Sequence, residues 1–158
     1  MLSKIRHYVP KDKLIEIYFA IFARLQKCAL RIMSFAKKDA HTEPLFKEFK
    51  ILKIVNQITL LNCLLIHDHS RNLLPNSYQN FFIPCEDLHT SETTNSAGGL
   101  IFVPFCNSTT YGRKSIKISA ILQWNHLSEI LEKNLLSLNR YNLKALLTSH
   151  FLDSYSSS

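Results

Sequence analysis

The sequence predicts a mainly α-helical fold with one small β-hairpin, an α+β chain. Three observations carry this. Apolar residues recur at steps of three and four through most of the chain; one stretch, Ile116, Ile118, Ala120, Leu122 and Trp124, alternates instead; and the segments between are rich in Ser, Thr, Asn and Pro. At 158 residues, with 46% hydrophobic and 20% charged residues, one globular unit is expected. Its segments are a basic helical part (1–72), a loop (73–99) and a hairpin with C-terminal helices (100–158).

Leu14, Tyr18, Ile21, Leu25, Cys28 and Ile32 share one helical face from Lys11 to Phe35, as one long helix or two fused helices, and Pro10 suits its start. The polar stretch 36–42 is a loop. Thr42 is placed to cap the next helix, with Pro44 in its first turn. Leu45, Phe46, Phe49 and Leu52, then Val55, Ile58, Leu61, Leu64 and Leu65, keep the helical period, with a break near Lys53. The pattern stops at His69-Ser70-Arg71-Asn72, and Pro75 ends any helix. Phe81 and Phe82 anchor the loop that follows. Leu100-Ile101-Phe102-Val103 pairs with the alternating run to make the hairpin. Leu127, Ile130 and Leu131 form a short amphipathic set. Ser137 caps the last helix, whose apolar face is Leu143, Leu146, Leu147 and Phe151.

The net charge of +7 is unevenly placed. Residues 1–53 hold 12 Lys and Arg against 5 Asp and Glu, whereas 54–158 hold 7 of each. A cationic region of this kind attracts phosphate backbones and releases counterions on binding. The candidate nucleic-acid contacts are Arg24, Lys27, Arg31, Lys37 and Lys38, joined by Tyr111, Arg113 and Lys114, where Gly112 permits a tight turn and Tyr111 offers a stacking face. A solvated basic helix face and an ordinary β-turn are the plainer readings of the two groups. Trp124 falls on the apolar side of its run and reads as a core anchor.

Catalytic chemistry is not expected. Asp12, Asp39, Asp68, Asp87 and Asp153 are dispersed, with no adjacent pair to hold two divalent metals. His67-Asp68-His69 is read as a helix-terminal polar cluster, with a metal pair as the alternative. His89 is read as a turn histidine, since no nucleophile elbow stands near it. Cys28, Cys63, Cys85 and Cys106 are far apart, without a Cys-x-x-Cys pair; they are expected to be reduced and mostly buried. No cofactor is implied. No signal peptide and no membrane span are read, so an intracellular setting, nuclear or cytoplasmic, without a membrane partner is expected.

Short motifs also follow one another in a fixed order: Asn72-Leu73-Leu74-Pro75, Asn80-Phe81-Phe82, His89-Thr90, Phe102-Val103-Pro104, Tyr111-Gly112-Arg113-Lys114-Ser115-Ile116 and Trp124-Asn125. Upstream stand Tyr8-Val9-Pro10-Lys11, Leu25-Gln26-Lys27-Cys28 and His41-Thr42-Glu43-Pro44-Leu45-Phe46. This order resembles the C-terminal region of reverse transcriptases of non-LTR (LINE-like, jockey-type) retrotransposons. The resemblance implies late, thumb-like helices of an RNA-directed DNA polymerase without its catalytic core. It implies weak, sequence-nonspecific RNA or DNA contact, and as further partners the missing core or another protein. Two departures stand out: Phe22-Ala23 runs straight into Arg24-Leu25, where the family has an intervening segment, and Thr93-Thr94 replaces a Thr-Arg pair. A fragment of this kind exposes surface that once met its neighbours. The alternatives are a helical protein-interaction module and a decayed, poorly folding reading frame.

Overall fold

A computed structural model describes residues 11–85, 99–105 and 115–155, with side chains placed from Ile17 onward. Five α-helices are described: α1 (Lys11–Met33), α2 (Glu43–Glu48), α3 (Ile54–Ser70), α4 (Ile116–Leu131) and α5 (Arg140–Ser154). Short 3-10 turns lie at Asn76–Tyr78 and Leu135–Ser137. The backbone divides into two compact units, Met1–Gln57 with Ser149–Ser158, and Ile58–Thr148; the division falls within α3 and within α5.

Unit 1 is built around Leu30, Phe46 and Tyr155, with Leu45, Phe49, Ile51 and Leu152 packed against them. α1 is one uninterrupted helix, and α2 is short because the chain turns at Lys50. The break expected near Lys53 is present. Helices usually need glycine to end in the left-handed conformation, and the chain has three glycines. Phe35, Lys50 and Asn72 take that role at φ of 52°, 53° and 55°. Each is followed by an amide that reaches five residues back: Ala36 to Arg31 (2.9 Å), Ile51 to Phe46 (2.9 Å) and Leu73 to Asp68 (2.9 Å).

Side chains from afar close the start of α3. Gln26 Nε2 donates to the Leu52 carbonyl (2.7 Å), and its Oε1 accepts from the Ile54 amide (3.1 Å). The Tyr155 hydroxyl accepts from the Lys53 amide (2.9 Å) and from Asn56 Nδ2 (2.8 Å). Thr42 stands at the N-cap of α2 and is buried, but its side chain makes no capping bond.

Unit 2 buries Leu60, Cys63, Leu64 and His67 of α3, a spacing of three, one and three that marks one helix face. It also buries Ile118, Ile121, Trp124 and Leu127 of α4, and Leu143 and Leu147 of α5. The expected hairpin is absent. The run 116–124 is helical, started by Ser115, whose side chain accepts from the Ile118 amide (3.3 Å). Ile116 and Leu122, inward in a strand reading, are exposed, while Ile121 is fully buried. The set Leu127, Ile130 and Leu131 continues the same helix.

The run 100–103 pairs elsewhere. Ile101 forms a single antiparallel bridge with Pro84, through Cys85 N to Leu100 O (3.0 Å) and Phe102 N to Ile83 O (2.8 Å). The Asn125 amide brackets the Ile101 backbone, accepting from its amide (2.9 Å) and donating to its carbonyl (2.8 Å). Trp124 Nε1 donates to the Gly99 carbonyl (2.8 Å). At φ of 103°, with an added Cβ only 2.7 Å from Asn134 Oδ1, any side chain at position 99 would be strained. α5 is capped by Asn139, whose Oδ1 accepts from the Asn142 amide (2.7 Å), not by Ser137, which lies in the preceding 3-10 turn.

Of the cysteines described, only Cys63 is buried; Cys28 is exposed and Cys85 intermediate, so the expectation of mostly buried thiols does not hold. Burial pushes the Cys63 thiol up to about 12 from 9.0. Because the folded value is raised, this group's contribution to stability is intact below pH 9.0 and is lost as pH climbs toward about 12. Iodoacetamide at pH 8 is expected to modify Cys28 in the native chain and to leave Cys63 intact until denaturant is added. Equal labelling of both, read by peptide mass, would contradict this packing.

Candidate nucleic-acid interface

α1 presents three different faces. One is packed in unit 1 through Gln26 and Leu30. A second carries Arg24, Lys27 and Arg31, which the i, i+3, i+7 spacing sets along roughly 10 Å of one helix side. The third is apolar and exposed: Tyr18, Ile21, Leu25 and Ile32 all stand in solvent. The apolar face legible in the sequence is thus the uncovered one, and the helix is held by Leu30, which lies off it.

The predicted cations differ in what they do. Arg24 and Lys27 are exposed on α1, and Lys37 and Lys38 are exposed in the turn that follows. Arg31 is half-buried, and its Nε donates to the Ala40 carbonyl (3.0 Å), bracing the 36–40 loop. It is therefore a structural cation first. Tyr111, Arg113 and Lys114 lie outside the described residues, as do His89 and Cys106.

Two further exposed lysines, Lys47 and Lys50, lie in the same unit and were not singled out from sequence. Their signal was present in the charge excess of residues 1–53. Lys53 is spent internally: its Nζ lies 2.6 Å from Glu43 Oε1 and 4.4 Å from the centre of the Tyr155 ring. The hydrogen bond from Lys53 and then its charge hold the Glu43 carboxyl below its ordinary value; Lys27 and His41 add smaller contributions that slight desolvation opposes.

In unit 2 the histidine cluster ends α3 as a clamp. His67 Nε2 donates to the Leu138 carbonyl (2.9 Å), and Arg71 Nη2 donates to the same oxygen (3.0 Å). Asp68 receives Arg140 Nε at 3.0 and 3.2 Å. His69 Nε2 bonds the Gln79 carbonyl (3.1 Å), and its ring meets Phe82 edge-on at 5.2 Å. The two rings serve different carbonyls, which fits the polar-cluster reading. Among the described residues, no group of three or more His, Cys, Asp or Glu side chains gathers to hold a metal, and no helix is long and apolar enough to cross a membrane. A cleft of about 560 Å³ lies in this unit, lined by Ile66, His69, Asn72, Phe82, Ile101 and Leu136 among others.

The arrangement suits recognition of charge rather than of base identity. Four exposed cations, two on a helix and two in the turn after it, offer contacts to phosphate oxygens. Comparison with protein-family models, with curated proteins and with solved structures finds no match for the chain.

Proposed function

We propose that the chain is a non-catalytic remnant of a non-LTR retrotransposon RNA-directed DNA polymerase that binds RNA or DNA without sequence preference. The observation that supports it is the exposure of Arg24, Lys27, Lys37 and Lys38 in the part of the chain that carries all the net charge. Charges in this setting gain by releasing condensed counterions from a nucleic-acid backbone, whatever its sequence. The motif order supports the family, and the scattering of the five aspartates supports the loss of polymerisation.

Filter binding with a 20-nucleotide RNA tests this. Replacing Lys37 and Lys38 together by alanine is expected to weaken binding roughly tenfold near 0.1 M salt, as two phosphate contacts are lost. The control pair Lys133→Ala and Lys144→Ala lies outside the basic third and is expected to leave affinity unchanged. Equal losses in both pairs would sink the assignment to this surface.

A second reading is favoured by one specific observation, the uncovered apolar face of α1. On this reading the helix docks another protein.

A further inference from the structure

The exposed face of α1 has the spacing of a coiled-coil seam. Tyr18, Leu25 and Ile32 fall at one heptad position, a, and Ile21 and Cys28 at the other, d; all five are exposed. The positions that flank such a seam are unequal. Arg24 and Arg31 occupy g, while Phe22 and Ala29 occupy e. In two-stranded coiled coils the e and g residues choose the partner through charge pairs between helices.

A second copy of the chain, aligned in parallel, would set both arginines against apolar e positions and leave every cation unmatched. It would also bring together two regions of net charge +7. A helix with acidic residues at e would match them. Resting on the docking reading above, we infer that α1 receives an acidic amphipathic helix of a partner protein, seated on Tyr18, Ile21, Leu25, Cys28 and Ile32, with its carboxylates on Arg24 and on the Nη end of Arg31, whose Nε stays on the Ala40 carbonyl. A bilayer is the poorer occupant. The arginines flank one edge of the seam only, and the helix is tied along another side through Gln26 and Leu30.

Cys28 supplies a footprint in the unaltered chain. Two synthetic three-heptad peptides serve as probes, both with Leu at a and d, one with Glu and one with Lys at e and g. Vesicles of phosphatidylcholine with 30% phosphatidylserine serve as the lipid probe. At 0.15 M salt the Glu peptide is expected to slow Cys28 alkylation at least tenfold, leaving Cys63 unlabelled, while the Lys peptide and the vesicles do not. Ile32→Gln, a charge-neutral change at a side chain 70% exposed, is expected to keep the wild-type melt and RNA affinity and to abolish the protection. Equal protection by both peptides would retain the docking reading and overturn the acidic partner. No protection by either would overturn both. Protection by vesicles, or dimerisation of the chain alone with Cys28 shielded, would give the seam to another occupant and overturn the proposal.

Discussion

Trp124→Ala is expected to destabilise unit 2 by about 3–5 kcal/mol, the usual cost of removing a buried large aromatic from a core. The indole is fully buried, and its Nε1 donates to the Gly99 carbonyl at 2.8 Å. The loss is a large part of the stability of a small domain. Trp124→Phe is the milder change. It keeps a six-membered ring and drops the donor, so a smaller cost of about 1–3 kcal/mol is expected from the lost bond to Gly99 and the reduced ring volume together. Asn125 makes the pair cooperative, since its amide brackets Ile101 two residues beyond Gly99. Urea denaturation followed by far-UV circular dichroism gives both values. A Trp124→Ala cost below about 1 kcal/mol would mean that the indole is not the anchor of this unit.

Tyr155 is the corresponding anchor of unit 1. Its ring lies 6.0 Å from that of Phe46, edge to face, with the Lys53 ammonium 4.4 Å from its centre. Its hydroxyl closes the start of α3 by accepting from the Lys53 amide and from Asn56. Tyr155→Ala is expected to cost about 3–5 kcal/mol through the cavity it leaves. Tyr155→Phe retains the packing and deprives the Lys53 amide of its acceptor, for about 1–3 kcal/mol. If Tyr155→Phe melts with the wild type, the hydroxyl bonds contribute nothing and the C-terminal turn of α5 is held by packing alone.

Much of the fold was legible because helices announce themselves in period. α1, the break near Lys53 and the presence of α3 follow from that signal. The buried face of α3 does not: Val55 and Leu61, read as part of its apolar face, are exposed, and the face that packs is Leu60, Cys63, Leu64 and His67, because a run apolar on nearly every side leaves its phase undecided. α4 was misread because Ile116, Ile118, Ala120, Leu122 and Trp124 also fit a period of two. Two nearby signals favoured a helix, the Ser115 cap and Ile121, which has no place inside a strand of that register. The apolar face of α5 at Leu143, Leu147 and Phe151 was legible, but its cap was not. Asn139 competes with Ser137 for that role, and only backbone geometry decides between them.

The clamps made by Gln26, Asn125 and Tyr155 were beyond reach of the sequence. Each joins residues more than twenty positions apart and shows no local pattern. The candidate site divides in the same way. Exposure of Arg24, Lys27, Lys37 and Lys38 follows from charge. The diversion of Arg31 to the Ala40 carbonyl depends on how the 36–40 loop folds back. Periodicity identified an apolar face on α1 but carries no information on what covers it.

The most direct test of the central claim is the salt dependence of RNA affinity for the intact chain between 50 and 200 mM. Four phosphate contacts on a single strand predict a slope of roughly −3 in log affinity against log salt, a loss of about 50-fold over that range. Neutralising Arg24, Lys27, Lys37 and Lys38 together should bring the slope close to zero. A wild-type affinity indifferent to salt, or a slope that survives the fourfold change, would contradict the assignment of phosphate binding to this surface.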